Sequence, residues 1–348
     1  DLSAYESDFR GRLQQYAAAI KKKDGLAAYM APEIEGFLME GVDAEQKFDS
    51  NIGFSLTSTG GYYHSLPLDV LRQFIDRTAE AIRAMGFKNE KDHAEVAPSQ
   101  FEINFSYTDV VRACDQILIY KLVCRQVAEQ MGMTATFLPK PRQNINGCGM
   151  HTNLSLSKNG KNIFYDAKGN DGLSKIGWDF VGRVLNRAPE LCLTFNSSVN
   201  AYRRLDPNFE APNQIKVSGS DRGSMIRIPL ANEKTARIEV RSVAPDSNPY
   251  LALYAILKTG IEDVSPKDEK ADKRPRLRFL PGTIGDSIRI FKASDYMTTL
   301  LGESAKSKYV DWKVEVANRN PRELGTKVKG AEVLYHHEVT NQYLWNQF

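Results

Sequence analysis

The chain has no apolar run near the roughly 20 residues that span a bilayer, so no membrane-crossing helix is expected. Cysteine is scarce. Cys114, Cys124, Cys148 and Cys192 show no Cys-x-x-Cys spacing, which argues against a disulfide scaffold or a zinc ribbon and for free thiols in a reducing compartment. Net charge is also small, +3 over 348 residues with no dominant basic block, which argues against a dedicated nucleic-acid binder. Asp1 to Tyr5 lack a basic-then-apolar leader pattern, and the expected location is cytoplasmic. There is no internal repeat and no low-complexity tract. What remains is a composition of 42% hydrophobic and 26% charged residues, ordinary for a globular protein with a large core.

Periodicity organises the chain. Leu2–Lys23, Leu66–Met85 and Val110–Met131 carry apolar residues at helical spacing, and Leu173–Phe195 reads as a helix despite Pro189. Ala31–Leu38, Glu95–Phe105 (broken at Pro98), Gly147–Ser157, Met225–Pro229 and Ala236–Val243 read as extended. Gly60-Gly61 reads as a turn, and Lys158-Asn159-Gly160-Lys161 as a hairpin turn into Asn162–Tyr165. Ser247 is the expected cap of a helix over Tyr250–Thr259 with Pro249 in its first turn. Ser265–Arg278 is charged and reads as an exposed loop, and the remainder reads as helical. Strands and helices mix without βαβ regularity, so the expected class is α+β.

Several charges sit where surface charges do not belong. Glu33 and Glu35 lie two apart in an apolar strand and share a face. Glu95 and Glu102 flank the apolar run Val96–Gln100. His151 follows a glycine-rich approach, and Arg237, Glu239 and Arg241 share one face of a strand. Singly, each has a bland reading: a solvated strand face, a hydrogen-bonded core histidine, a structural ion-pair ladder. Together, five glutamates and one histidine on separate extended segments suit two oxygen-ligated divalent ions, Mg²⁺ or Mn²⁺. Such a pair, with the guanidinium forks of Arg204, Arg222, Arg237 and Arg241, is the apparatus of phosphoryl transfer.

These segments resemble motifs of the glutamine synthetases of type I. His93-Ala94-Glu95-Val96-Ala97-Pro98-Ser99-Gln100-Phe101-Glu102 resembles His-x-Glu-Val-Ala-Pro-Gly-Gln-x-Glu, and Asn146–His151 resembles Asn-Gly-Ser-Gly-Met-His. Asn200–Leu205 with Glu210-Ala211-Pro212, Arg222–Pro229 and Arg237–Tyr250 resemble three further motifs, in order, from about Pro32 to Val264. The resemblance implies a curved, mainly antiparallel sheet wrapped by helices, of the glutamine synthetase/guanido kinase-like type, forming half of a funnel-shaped site. It implies an ATP-dependent ligase that makes glutamine from glutamate and ammonia through a γ-glutamyl phosphate. By the same resemblance Glu35, Glu95 and Glu102 hold one metal, and Glu33, His151 and Glu239 hold the second. Asn146, Gly147, Arg204 and Arg241 position glutamate. Tyr107, Asn153, Ser155, Arg222, Arg227, Lys234 and Arg237 face ATP, and Glu210 lies on a flap that takes a proton from ammonium.

The resemblance also implies stacked hexameric rings. The whole chain, 1–348, is expected to be one catalytic domain, without the β-grasp domain that the resemblance would place ahead of it. Asn153 replaces a second His of many members, and Asp206 and Asn208 stand where many have Val and Gly. Ser265–Arg278 has no tyrosine, so adenylylation there is not expected. The alternatives are a γ-glutamyl ligase for a larger, polyamine-type amine and a non-catalytic member of the family.

Overall fold

The computed structural model describes residues 5–44, 54–142, 144–206, 209, 211–262 and 278–323. The expected loop at Ser265–Arg278 lies outside them except for Arg278, and so does Glu210.

One long strand organises the molecule. β1 (Leu26–Glu40) follows α1 (Phe9–Asp24), whose Asp8 cap accepts from the Gly11 N–H at 3.0 Å and which ends at left-handed Gly25. Through its first part β1 pairs antiparallel with β6 (Met150–Lys158), from Leu26 opposite Lys158 to Ile34 opposite Met150. At Glu35 it changes partner to β3 (Gln100–Phe105), with Glu35 opposite Glu102. β2 (Asn89–Ala94) pairs with β3 on its other side. The path continues from β6 to β10 (Ile238–Val240), β9 (Ser224–Arg227) and β8 (Gln214–Ser218), giving the order β2-β3-β1-β6-β10-β9-β8. β4 (Thr108–Asp109) and β5 (Met133–Thr136) add to β1, and β7 (Lys161–Asn162) to β6. All pairings are antiparallel except β8 with β9. The class is α+β, as expected.

Helices cover one side. α2 (Val70–Ala84) and α3 (Val110–Gln130) pack beside β1–β3, and α7 (Pro249–Ile261) packs on α1. α8 (Ile284–Ala293), α9 (Asp295–Leu301) and α10 (Glu303–Glu323) complete the C-terminal helical part. Phe74, Phe101, Phe105, Tyr120 and Phe137 are fully buried where α2 and α3 meet the sheet, while Phe37 is buried in a smaller cluster with Met39, Phe54 and Leu138.

Most element ends shift by a few residues, and three differences have a physical reason. Leu173–Phe195 is two helices, α4 (Lys175–Asn186) and α5 (Ala188–Phe195), broken at Arg187. Pro189 cannot donate within a helix interior, so it sits in the first turn of a new one. Asn248, not Ser247, caps α7, accepting from Tyr250 and Leu251; the Ser247 hydroxyl bonds Phe195 O instead. The break expected at Pro98 is wider than a single residue. Residues 95–99 form a turn with Ser99 left-handed at φ 62°. The Ser99 hydroxyl compensates: it accepts from Thr57 and Ser58 N–H at 2.8 Å each and donates to Ser58 O at 3.0 Å.

Candidate active site

The partner change in β1 separates Glu33 from Glu35. The two share a strand face, but Glu33 lies opposite His151 on β6 and Glu35 opposite Glu102 on β3. One strand thus supplies a carboxylate to each of two clusters.

In the first cluster, ligand-capable atoms of Glu33, His151 and Glu239 lie within 4.8 Å of one another. His151 Nδ1 is 3.5 Å from Glu33 and 3.6 Å from Glu239, and Asn153 donates to Glu33 at 3.0 Å. Glu239 is fully buried and held by two guanidiniums: Arg227 Nε donates to Oε2 at 2.5 Å, and Arg241 to Oε1 at 2.7 Å. Burial, with the Arg241 charge, pushes the His151 pKa down, which favours the neutral imidazole that a metal requires. Burial raises Glu33, but the proximity of His151 and the hydrogen bond from Asn153 outweigh it and hold its carboxyl at about 2.

In the second cluster, Glu95 and Glu102 meet His93 within the same 4.8 Å limit. His93 comes from β2, opposite Glu102 in the β2–β3 register. Glu35, expected here, is beside this group but outside that limit; its carboxylate accepts from the Gly149 N–H at 2.6 Å. Burial and the charges of Glu95 and Glu102 raise the Glu35 pKa, and burial and Glu102 raise Glu95 to about 7. Several buried carboxylates crowded this way call for a cation. The donor sets of both clusters, carboxylate oxygens with one imidazole each, fit a divalent ion.

Both clusters open into one cavity of about 1230 Å³. Asn146, Gly147, Arg204 and Arg241 line it at one part. Arg204, at the end of α6 (Val199–Arg204), donates to Arg241 O at 2.8 Å; burial lowers its pKa to about 10, so it remains a cation at neutral pH. Gly147 is required by close approach to the backbone, and Gly149 leaves room for two side chains of the site. A Cβ at Gly149 would stand 2.6 Å from both Arg204 and His151, and one at Gly147 would stand 2.5 Å from Pro139 O. Asn153, Ser155, Arg222, Arg227, Lys234 and Arg237 line the same cavity, and Arg237 donates to Asn153 at 3.0 Å. Tyr107 stands at its wall, edge-on to Tyr29 with centroids 5.7 Å apart.

The lining residues that the sequence reading missed include His93, Glu90 and Phe209. His93 was legible only as part of a motif, because its partner is set by register. Glu90 lines the cavity from β2 with no signal beyond local charge, and Phe209 does so beside the expected flap.

A sequence model of the family described as "Glutamine synthetase, catalytic domain" matches residues 6–326. The chain is 38% identical over 304 residues to a glutamine synthetase of Halobacterium salinarum, covering 83% of this chain and 66% of that one. It is 36% identical over 308 residues to one of Methanosarcina mazei, covering 84% and 68%. It is 33% identical over 330 residues to one of Pyrococcus woesei, covering 90% and 73%. The chain thus spans about two thirds of the length of these relatives. A cryo-EM structure titled Plasmodium falciparum glutamine synthetase shares the fold, with TM-score 0.79 at 22% identity over 96% of this chain and 80% of that one. The chain belongs to the glutamine synthetase catalytic-domain family, a family of glutamate–ammonia ligases.

Proposed function

We propose that this chain catalyses the ATP-dependent joining of ammonia to the γ-carboxylate of glutamate, through a γ-glutamyl phosphate. The observation that carries this reading is the single cavity that gathers both carboxylate–imidazole clusters and the arginines. Its roughly 1230 Å³ exceeds the range of about 300–1,000 Å³ usual for one small ligand, leaving room for a nucleotide beside an amino acid.

The roles follow from charge and position. Asn146, Gly147, Arg204 and Arg241 hold glutamate, with the guanidiniums matching carboxylate and phosphoryl oxygens. Arg222, Arg227, Lys234 and Arg237 with Asn153 and Ser155 orient the ATP phosphates, and the Tyr107 ring packs near adenine. Glu33, His151 and Glu239 would hold one divalent ion and Glu35, Glu95 and Glu102 the other, Mg²⁺ or Mn²⁺. When bound, these ions neutralise the phosphate charge. Phosphorylation makes the γ-carboxylate electrophilic by giving it a good leaving group, and ammonia then displaces phosphate. Glu210 takes the ammonium proton. The working form is a ring-shaped homo-oligomer in the cytoplasm.

The test is ADP release with glutamate, Mg²⁺ and ATP, with and without ammonia, in the wild type and in Glu239→Ala. Release that needs ammonia and disappears in the variant supports the reading. Release driven by a polyamine but not by ammonia would replace ammonia with a larger amine, and a folded, ATP-binding chain without any release would overturn it.

A further inference from the structure

Lys140 is a buried cation that none of the roles above uses. The residue is only 4% exposed, and it stands between Pro139 and Pro141, which stiffen the backbone and offer no N–H. Asn200 on α6 grips it from the other side. The Lys140 N–H donates to Asn200 Oδ1 at 2.6 Å, and Asn200 Nδ2 donates to Lys140 O at 2.9 Å. α6 ends at Arg204, so the residue that holds Lys140 lies on the helix that carries this guanidinium.

The ammonium reaches the loop that leads into the site. Lys140 Nζ donates to Ile145 O, one residue before Asn146 and Gly147. The neighbouring Pro139 O accepts from the Cys148 N–H at 2.7 Å, so one short segment pins this loop at both ends. The Phe209 ring faces the ammonium with its centroid 3.8 Å away, a cation–π distance, and the charge of Asp206 favours the protonated form. An apolar side chain would fill this space without the cost of desolvating a charge, so packing alone does not account for the ammonium.

We propose that Lys140 is a positioning residue of the glutamate site: its ammonium, with Asp206 as counter-charge, clamps the Ile145–Gly147 loop to Phe209 and so presets the contacts of Asn146 and Gly147 with the amino acid. The clamp needs the positive charge. A neutral amine still donates to Ile145 O, but it loses the attraction of the ring face and of Asp206. Burial pushes the Lys140 pKa down to about 8, against the pull of Asp206, so the charge is present at neutral pH and is lost as pH rises through about 8. Of the other groups that act on it, Arg204 stays charged to about 10, and burial keeps the Cys148 thiol neutral. This assignment rests on the reading of Asn146 and Gly147 as holders of glutamate, and the test separates the two.

Glutamate affinity of the full chain is measured by calorimetry with Mg²⁺ and β,γ-methylene-ATP, on both sides of the Lys140 transition at about pH 8, together with the affinity for the nucleotide itself. The variants are Lys140→Met, Asp206→Asn and Phe209→Leu, and near-ultraviolet circular dichroism checks that each is folded. At neutral pH Lys140→Met is expected to weaken glutamate by about tenfold or more and the nucleotide by less than about threefold. Phe209→Leu is expected to weaken glutamate by a smaller factor. Wild-type affinity should fall as pH rises through about 8, Asp206→Asn should move that fall to lower pH, and Lys140→Met should abolish it. Unchanged glutamate affinity in Lys140→Met, or equal weakening of glutamate and nucleotide, overturns the clamp. A fall at the same pH in Asp206→Asn as in the wild type overturns the part given to Asp206. If Lys140→Met does not fold, the pH shift in Asp206→Asn and the loss in Phe209→Leu decide the matter, and the absence of both overturns the clamp. A wild-type chain that binds the nucleotide but no glutamate at any pH brings down the proposed function, and this assignment with it.

Discussion

The two carboxylate clusters share a strand, a residue vocabulary and a cavity, yet they balance charge differently. At Glu33, His151 and Glu239, Arg227 and Arg241 neutralise the buried Glu239 within the protein. At Glu95 and Glu102 the nearby Glu35 adds a further carboxylate, and Glu35 and Glu95 are pushed toward protonation. The first cluster is organised by its own arginines; the second is left to be completed by a cation. The difference teaches that one active site can contain a preorganised half and a half whose stability depends on its ligand.

The largest effect should come from undoing the internal balance. Glu239→Ala leaves two guanidiniums facing a cavity without their carboxylate, so we expect a loss of roughly 3 kcal/mol of stability in urea unfolding. Turnover should fall by at least about a hundredfold.

The cation-free second cluster makes a prediction in pH. Glu35 and Glu95 have raised pKa values when folded, so the folded state retains protons that the unfolded state releases. Their stabilisation is complete below the ordinary carboxyl range near 4.5, and that of Glu95 is lost as pH rises through about 7. In a chelator, the urea midpoint should therefore fall between pH 5 and pH 8, with Glu95 alone contributing roughly 2–3 kcal/mol. Divalent cation should flatten this slope. A midpoint independent of pH in the chelator would mean that the two clusters are balanced alike.

A smaller test makes the first cluster resemble the second. Arg227→Met removes one neutralising partner of Glu239, so divalent affinity by calorimetry should rise, by up to about tenfold, while turnover falls. A control away from both clusters sets the scale. Asn248→Ala removes the α7 cap and should cost about 1 kcal/mol in thermal unfolding, with little change in metal affinity.

The site was unevenly legible. Glu33, Glu95, Glu102 and His151 stood out because charge in an apolar extended run is costly without a partner. His93 did not, because nothing local distinguishes its charge from a surface one. Its place beside the cluster appears only when β2 pairs with β3 and sets it opposite Glu102. The helical break at Arg187 was hidden because the apolar period continues through Pro189; only the backbone at Arg187 reveals it. Pro98 marked a break in the extended run, but the conformation of Ser99 beside it was not legible. Its left-handed turn exists because loop 57–58 offers its hydroxyl three hydrogen bonds.

Periodicity, polar punctuation and the cost of buried charge act over a few residues, so the sequence by itself determined the α+β class, most elements and which glutamates and arginines were out of place. Tertiary structure alone decided their grouping. The change of partner along β1 sends Glu33 to one cluster and Glu35 beside the other, and the strand registers choose which imidazole meets which carboxylates. Those pairings depend on contacts between segments far apart in the chain, a choice that no local pattern encodes.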